Sequence, residues 1–219
     1  TPGKLHAVEP DQLLRHLEQA LARERNVADP VAEVFGAFAR GALGTLKMLT
    51  GAYHLVITNP PFLTRDKQSE CLKRFCSKWF PDSKKNLATC FVERCRDMAA
   101  RGGYYALVSP QNWTFLTSDR SLRLRLLKDQ SWRLFARLGA KAFVTKLWDF
   151  NIGLFVFCNV PPHADSRFLA IDAAMFGSPD GKAQTLRSKQ GLMLNQVAQL
   201  DNPGIAVILG EMRQGKDLR

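Results

Sequence analysis

The sequence predicts an α/β domain organised around a sheet of buried strands, and three observations support this. Residues Tyr53–Thr58 form a short β-branched run that is nearly all apolar, which is typical of a strand buried on both faces. A second run of this kind, Tyr104–Val108, follows two stretches with helical periodicity. The elements then run as strand, two helices, strand, helix, strand, strand, an order typical of half of such a sheet.

The other predicted elements follow from periodicity and from turn residues. Helices are predicted over residues 10–25, 31–49, about 66–79, about 86–101 with an end at Gly102-Gly103, and about 119–129 with Ser118 as its N-cap. Two more strands, Trp132–Leu138 and Ile152–Cys158, flank a hairpin-like loop. We therefore predict a helical N-terminal segment over 1–50, half of an α/β domain over 51–162, and a linker or the start of another module over 163–219.

Composition and charge restrict the class of protein. The chain has 219 residues, of which 46% are hydrophobic and 23% charged, and this excludes a wholly disordered chain. No apolar run approaches the roughly 20 residues of a membrane span. The 31 Lys and Arg exceed the 20 Asp and Glu, giving a net charge of +11. This excess favours a polyanionic partner, with nucleic acid ahead of an acidic membrane surface.

The cysteines and histidines predict neither disulfides nor a metal site. Five cysteines is an odd number, which indicates a reducing compartment, and we expect a cytoplasmic protein. The pairs Cys71/Cys76 and Cys90/Cys95 lie five residues apart, about 140° around a helix, so neither pair converges on one metal. We expect these thiols to pack in the core. The four histidines show no ligand spacing.

Asn59-Pro60-Pro61-Phe62 stands directly after the first predicted strand, where α/β sheets bind their ligands. Two prolines fix the backbone and remove two N–H donors, and the residue before each proline is held extended. Asn59 adds a side-chain carbonyl acceptor and Phe62 a flat apolar face. The motif therefore predicts a stiff pocket for an exocyclic amino group on an aromatic base, although a purely structural turn is also compatible with four such residues.

A strand that ends in Asn-Pro-Pro-Phe resembles motif IV of the AdoMet-dependent amino methyltransferases, above all those that act on N6 of adenine in DNA. The segment 102–113 is similar to the strand and turn that follow in that family, and Leu122-Arg123, Leu138-Gly139 and Ala142-Phe143 continue the likeness in order. The extended pattern is most similar to large phage-defence methyltransferases (BREX-type, PglX-like) and fused restriction–methylation enzymes. The resemblance covers about residues 50–160.

The resemblance implies a fold, a reaction and a set of site residues. The fold would be part of a class I AdoMet-methyltransferase, a Rossmann-like doubly wound sheet with helices on both faces. Residues 51–162 would be the catalytic half of that domain, and residues 163–219 a linker or the start of a target-recognition region. The reaction would be site-specific transfer of a methyl group to a flipped adenine, in phage defence or restriction–modification. Asn59 and Pro60 would be catalytic, as acceptors for the amino group. Pro61, Phe62 and Phe143 would bind the base, with Phe143 on its far side.

The same resemblance implies S-adenosyl-L-methionine as cofactor, but the sequence does not contain the loop that would hold it. No G-x-G occurs, and Gly36, Gly41 and Gly44 lie in a helical, Ala-rich context. The cofactor-binding residues are therefore unassigned, and no initiator methionine is present. We expect a fragment of a larger enzyme that is incomplete and inactive alone. An unpaired edge at Tyr53–Thr58 would then favour self-association unless the N-terminal helices cover it.

Several alternatives remain open at the level of sequence. The implied partners are double-stranded DNA and either other defence-system subunits or missing parts of the same polypeptide, with no membrane. The chain could instead be a non-catalytic DNA-binding or assembly module, or an RNA or protein-glutamine methyltransferase. Trp113 and Trp148 fit packing or DNA contact equally well. A run of basic residues fits either a phosphate-binding face or solvated surface: Arg120, Arg123, Arg125, Lys128, Arg133, Arg137, Lys141 and Lys146.

Overall fold

A computed structural model describes residues 30–144, 150–188 and 190–210, together with residues 15, 16, 18–20 and 22. The chain divides into two units, residues 1–51 and 52–219. The first unit contains helix α1, Pro30–Thr50, close to its predicted bounds. The helix predicted over residues 10–25 lies mostly outside the described residues.

The second unit follows the predicted order of strands and helices and then continues it. Its elements are β1 Tyr53–Thr58, α2 Glu70–Trp79, α3 Leu87–Met98, β2 Ala99–Pro110, α4 Arg120–Asp129, β3 Ser131–Gly139, β4 Ile152–Cys158, β5 Arg167–Asp172, α5 Pro179–Ser188 and β6 Leu192–Asn195. Short 3₁₀ turns stand at residues 65–67, 111–114, 117–119, 197–201 and 203–205. No helix within these ranges is long and apolar enough to cross a membrane.

The described strands form one sheet in the order β1-β2-β4-β3-β5-β6. The pairs β1–β2 and β3–β5 are parallel, whereas β4 is antiparallel to both β2 and β3, and β6 is antiparallel to β5. The hairpin predicted between β3 and β4 is therefore confirmed. Mixed pairing of this kind, with helices against the sheet, confirms the predicted α/β class.

Polar side chains begin two helices, and one predicted cap is wrong. Ser69 precedes α2 and accepts a hydrogen bond from the Leu72 amide at 3.4 Å, while Asn86 precedes α3 and accepts from the Ala88 amide at 2.9 Å. Ser118 does not cap α4. Asp119 occupies the N-cap position, and the Ser118 hydroxyl donates to its carboxylate at 2.7 Å.

Helix α3 ends three residues before the predicted end because the chain enters β2 at Ala99. Gly102 and Gly103 lie within β2 and do not end the helix. Gly102 has φ of 78°, and a Cβ on Gly103 would lie 2.8 Å from the Tyr53 carbonyl oxygen. The two glycines therefore permit the irregular pairing of β2 with the start of β1.

The main core lies on one face of the sheet, where α3 and α4 pack. Its aromatic centre is Trp132, which is fully buried and meets the Phe157 ring edge to face at 5.0 Å between centroids. The sheet contributes Tyr105, Leu107, Phe135, Phe155 and Phe168, and the helices contribute Val92, Cys95, Leu122, Leu126 and Leu127. Burying this much aromatic and aliphatic surface is the dominant stabilising term.

The sequence pattern of 163–219 predicts a linker or the start of another region, but this segment supplies β5 and β6 to the same sheet. Its helix α5 places Leu186 against a second cluster that contains Leu138, Ile152 and Ala173. The sequence does not predict β6 because this strand has only four residues and does not alternate between buried and exposed side chains; Met193, for example, is 57% exposed. A role in target recognition stays a prediction.

β1 is less buried than its apolar sequence indicates. Leu55 is 58% exposed and Ile57 is 71% exposed, which contradicts the expectation of burial on both faces. The reason is the position of β1 at the edge of the sheet, where β2 is its one neighbour among the described strands. The predicted unpaired edge is therefore present in this part of the chain.

Candidate active site at the carboxyl edge of the sheet

The turns that carry the predicted site residues meet at one edge of the sheet. β1 and β2 run parallel, and the end of β2 at Pro110 pairs with Ile152, the first residue of β4. Gly139, the last residue of β3, pairs with the same Ile152 from the other side. The segment after β1 and the loop between β3 and β4 consequently face a common edge, where α/β sheets bind their ligands.

The four residues after β1 alternate in exposure. Asn59 and Pro61 are exposed, Pro60 is buried, and Phe62 is half-buried. The Asn59 side chain makes no hydrogen bond with the described part of the chain, so its carbonyl oxygen is available to a ligand. This arrangement presents an acceptor at the surface rather than inside the core.

Hydrogen bonds fix the chain immediately after this motif. The Leu63 carbonyl accepts from the Leu87 amide at 2.9 Å and from the Gln68 side chain at 3.2 Å. Two residues later, the Arg65 amide donates to the Lys85 carbonyl at 2.9 Å. The turn is thus held by its prolines on one side and by the start of α3 on the other. A fixed acceptor needs little reorganisation when charge develops on a bound group.

Three aromatic rings gather beside the turn. Phe62 and Phe143 both pack on the second cluster, and Phe150 joins them, with its ring 5.7 Å from the Phe62 ring and inclined by 68°. The structure thus brings the two predicted base-binding phenylalanines to one cluster. Sequence reasoning missed Phe150, although its place in the same loop as Phe143 was a usable signal. Base contact by Phe62 and Phe143 stays a prediction.

Trp113 is a core residue and not a surface one. It is 2% exposed, its indole N–H donates to the Ser109 hydroxyl at 3.2 Å, and its ring lies 4.8 Å from that of Phe155. Of the two predictions for Trp113, packing in the core is therefore confirmed and contact with DNA is wrong. Trp148 lies outside the described residues.

The basic run between residues 120 and 146 is not one continuous surface of unpaired cations. Arg123 is fully buried, Arg125 forms ion pairs with Glu93 at 2.7 Å and Asp82 at 3.4 Å, and Arg137 pairs with Asp172. These three side chains are engaged within the fold. The exposed members of the run are Arg120, Lys128, Arg133 and Lys141, and Lys146 lies outside the described residues.

All five cysteines are free, and four of them are buried. Burial, and then the neighbouring Cys76, raise the pKa of the Cys90 thiol to about 12, and burial raises the pKa of Cys95 to about 11. Core packing is confirmed for Cys76, Cys90 and Cys95. It is wrong for Cys71, which lies exposed on α2. No group of His, Cys, Asp or Glu in the described ranges could hold a metal ion.

The described residues do not fit S-adenosyl-L-methionine by themselves. The resemblance implies a glycine-rich turn after a parallel strand, whereas β1 is followed by Asn-Pro-Pro and β2 by Gln111. β3 ends in a single glycine, Gly139, where an added Cβ would lie 3.0 Å from the Cβ of Ala174. Across residues 30–144, 150–188 and 190–210, no parallel strand leads into a turn of the required kind.

Comparison with known protein families shows which family this chain belongs to. The sequence model of the Eco57I restriction-modification methylase family matches residues 3–143, which is more than half of the chain. The chain belongs to this family. The matched region includes β1, the Asn-Pro-Pro-Phe turn and Phe143, so the family assignment rests on the same part of the chain as the candidate site.

Two curated relatives are similar over a shorter stretch. The adenine-specific methyltransferase PglX of Lacticaseibacillus casei (strain Zhang) is 34% identical over 99 residues, and BrxX of Escherichia coli O9:H4 (strain HS), an adenine-specific methyltransferase, is 36% identical over 96 residues. Each match covers 44% of this chain but 8% of the relative. The chain thus corresponds to a small part of these proteins.

Solved structures show the same fold at low sequence identity. A structure from a study of type I R-M complex assembly superposes with a TM-score of 0.56 and 12% identity, over 78% of this chain and 40% of the other. A nuclease-deletion mutant of the Type ISP restriction-modification enzyme LlaGI, in complex with a DNA substrate mimic, gives a TM-score of 0.50 and 14% identity. That match covers 82% of this chain and 19% of the other.

Proposed function

We propose that this chain supplies the adenine-binding part of a site-specific DNA adenine-N6 methyltransferase that acts in restriction–modification or phage defence. The observation that carries the proposal is the exposed Asn59 on a proline-fixed turn at the carboxyl edge of the sheet, beside Phe62. Family membership and the two adenine-specific relatives support it.

The chemistry asked of this turn is hydrogen-bond acceptance. The amino nitrogen of adenine is a poor nucleophile because its lone pair is delocalised into the ring. The Asn59 side-chain carbonyl and the Pro60 backbone carbonyl would accept its two hydrogens and favour a more tetrahedral nitrogen. Acceptors fixed in advance for that geometry stabilise the transition state electrostatically. The reaction requires neither a metal nor a covalent intermediate with the protein.

The aromatic cluster would hold the base after it leaves the duplex. Flipping a base out of the stack costs a few kcal/mol. Stacking on an aromatic ring recovers about 1–3 kcal/mol per base. Phe62 would provide one such ring, and Phe143 would contact the base from its other side.

The proposed methyl donor is S-adenosyl-L-methionine, and the part of the enzyme that binds it would lie outside the described residues. The relatives are far longer than the matched region, which supports a site completed by other segments of one polypeptide or by another subunit. The exposed edge of β1 is where such a segment would extend the sheet. Double-stranded DNA is the proposed substrate, in keeping with the net charge of +11.

The test is Asn59→Ala in the full-length polypeptide that carries this sequence. Methyl transfer to duplex DNA should fall by at least about 100-fold, as for loss of one fixed hydrogen-bond partner of a transition state. DNA affinity should stay within about twofold. Gln190→Ala removes another exposed side-chain amide and serves as the control, with methyl transfer unchanged. Unchanged turnover in Asn59→Ala would refute the role of Asn59.

A further inference from the structure

A basic groove lies between the segment after β1 and helix α2. It has a volume of about 410 Å³ and is lined by Arg65, Glu70, Lys73, Arg74, Ser77 and Lys78. The five helical members stand at positions i, i+3, i+4, i+7 and i+8 of α2, so they share one face of the helix. Four cationic side chains against one carboxylate make the groove strongly positive.

The one carboxylate in the groove is already neutralised. Glu70 accepts from Lys73 at 2.8 Å, and this hydrogen bond, with the charge of Lys73, holds the pKa of Glu70 below its usual value. The pKa of Asp66, on the 3₁₀ turn before the helix, is also lowered, mainly by a hydrogen bond from Thr64 and to a smaller extent by the charges of Lys67 and Lys73. Arg74 and Lys78 form no ion pair with any described residue, and the Lys78 ammonium lies 5.0 Å from the centroid of the exposed Trp79 ring, a contact that leaves its charge unneutralised. Their charges therefore remain available to an anion.

Arg65 carries a buried hydrogen-bond donor that has no acceptor among the described residues. Its backbone amide is bonded to Lys85, and its Nη2 donates to the Ser77 hydroxyl at 3.0 Å, so the guanidinium is held in place. Its Nη1 is buried and has no hydrogen-bond partner in the described part of the chain. A buried donor without an acceptor is costly, and Arg65 would lose that cost by turning Nη1 toward an anion oxygen in the groove that its side chain lines.

The groove is close to the candidate site for the base. Arg65 follows Phe62 by three residues, so the two backbones lie at most about 11 Å apart. Successive phosphates of one DNA strand advance by about 3.4 Å along the helix axis. A strand whose base reaches Phe62 would therefore bring a neighbouring phosphate within reach of the groove.

We infer that the basic groove binds the phosphate backbone of the DNA strand that carries the target base, with Arg65, Arg74 and Lys78 as the phosphate-binding residues. The inference rests on the proposed function for the identity of the nucleic acid. It goes beyond that function by assigning the backbone contact to this basic groove and not to the basic run at 120–146. Phosphate contacts of this kind set register and affinity without reading sequence.

The experiment measures binding of a fluorescent DNA duplex to the intact chain between 50 and 300 mM salt. Arg74→Ala combined with Lys78→Ala should weaken binding roughly tenfold or more near 0.1 M salt and lower the slope of log K against log[salt] by about 2. The matched control combines Lys128→Ala with Arg133→Ala, two exposed cations outside the groove, and should shift affinity less than about twofold. Arg74→Lys with Lys78→Arg should retain most of the affinity.

The outcomes separate this inference from the proposed function. Equal losses in the groove variant and the control variant would overturn the inference, as would an unchanged salt slope. Stronger binding of an RNA duplex than of the DNA duplex through the same residues would overturn the choice of DNA. Groove-dependent DNA binding in a full-length protein that transfers no methyl group would support the groove and contradict the proposed function alone.

Discussion

The rings of Phe62 and Phe150 meet edge to face, with centroids 5.7 Å apart and planes inclined by 68°. This contact joins the turn after β1 to the loop before β4, two segments far apart in sequence. Edge-to-face pairs of this kind contribute about 0.5–1.5 kcal/mol beyond the area they bury. The position of the proposed base platform is thus set by tertiary packing as well as by the prolines beside it.

Replacing Phe62 tests whether its ring holds a flipped base. In the full-length polypeptide, Phe62→Ala should weaken binding to a duplex with an adenine at the target position more than it weakens binding to an abasic duplex. The expected difference is about 1–3 kcal/mol, the value of one base–aromatic stack. Fluorescence of 2-aminopurine at the target position measures base extrusion directly.

Phe150→Ala is the matched control for that experiment. It removes the edge-to-face contact but leaves the Phe62 ring itself in place. Equal losses on both duplexes in Phe62→Ala, matched by Phe150→Ala, would assign Phe62 a purely structural role.

Arg123 should be one of the most important single side chains for stability. It is fully buried, and it donates to the carbonyls of Trp113 at 2.7 Å, Gly204 at 2.7 Å and Ile205 at 3.0 Å. Burial lowers its pKa from the ordinary value, and Asp119 opposes that shift. Arg123→Met would leave several buried carbonyls without a donor. We expect the free energy of unfolding to fall by about 3 kcal/mol or more, measured by urea denaturation.

The comparison for Arg123 is Lys128→Met on the same helix. Lys128 is exposed, so this substitution should change the free energy of unfolding by less than about 0.5 kcal/mol. If both variants lose the same stability, the hydrogen bonds of Arg123 to the 203–205 turn are not what stabilises this region.

The buried thiol of Cys95 predicts a loss of stability at alkaline pH. Its pKa is raised by burial from 9.0 to about 11, so the unfolded chain releases this proton at lower pH than the folded chain does. The stabilising contribution is complete below pH 9 and is lost as pH rises toward 11. Urea unfolding at pH 8, 9, 10 and 11, under reducing conditions, measures this dependence.

Cys95→Ala and Cys95→Val both remove the titrating group while changing the packing differently. The stability advantage of the natural chain over each variant should shrink across this pH range. A constant difference from pH 8 to pH 11 would show that Cys95 titrates alike in both states.

The sequence by itself determined the strands and turns that depend only on neighbouring residues. The bounds of β1 and β4 agree with the predicted strands because short apolar, β-branched runs favour extended backbone wherever they lie. The turn at Asn59 was equally predictable, since proline restricts its own backbone and that of the preceding residue. Family resemblance pointed to Phe62 and Phe143, and the structure places both in one cluster.

Only the tertiary structure decided which of these elements are covered. Leu55 and Ile57 look like core residues, yet they are exposed because no described strand pairs with the outer edge of β1. Arg123 looks like a surface cation, yet it is buried because the 203–205 turn closes over it with carbonyl acceptors. Burial depends on contacts between distant segments, and the pattern of one segment does not contain the position of the other.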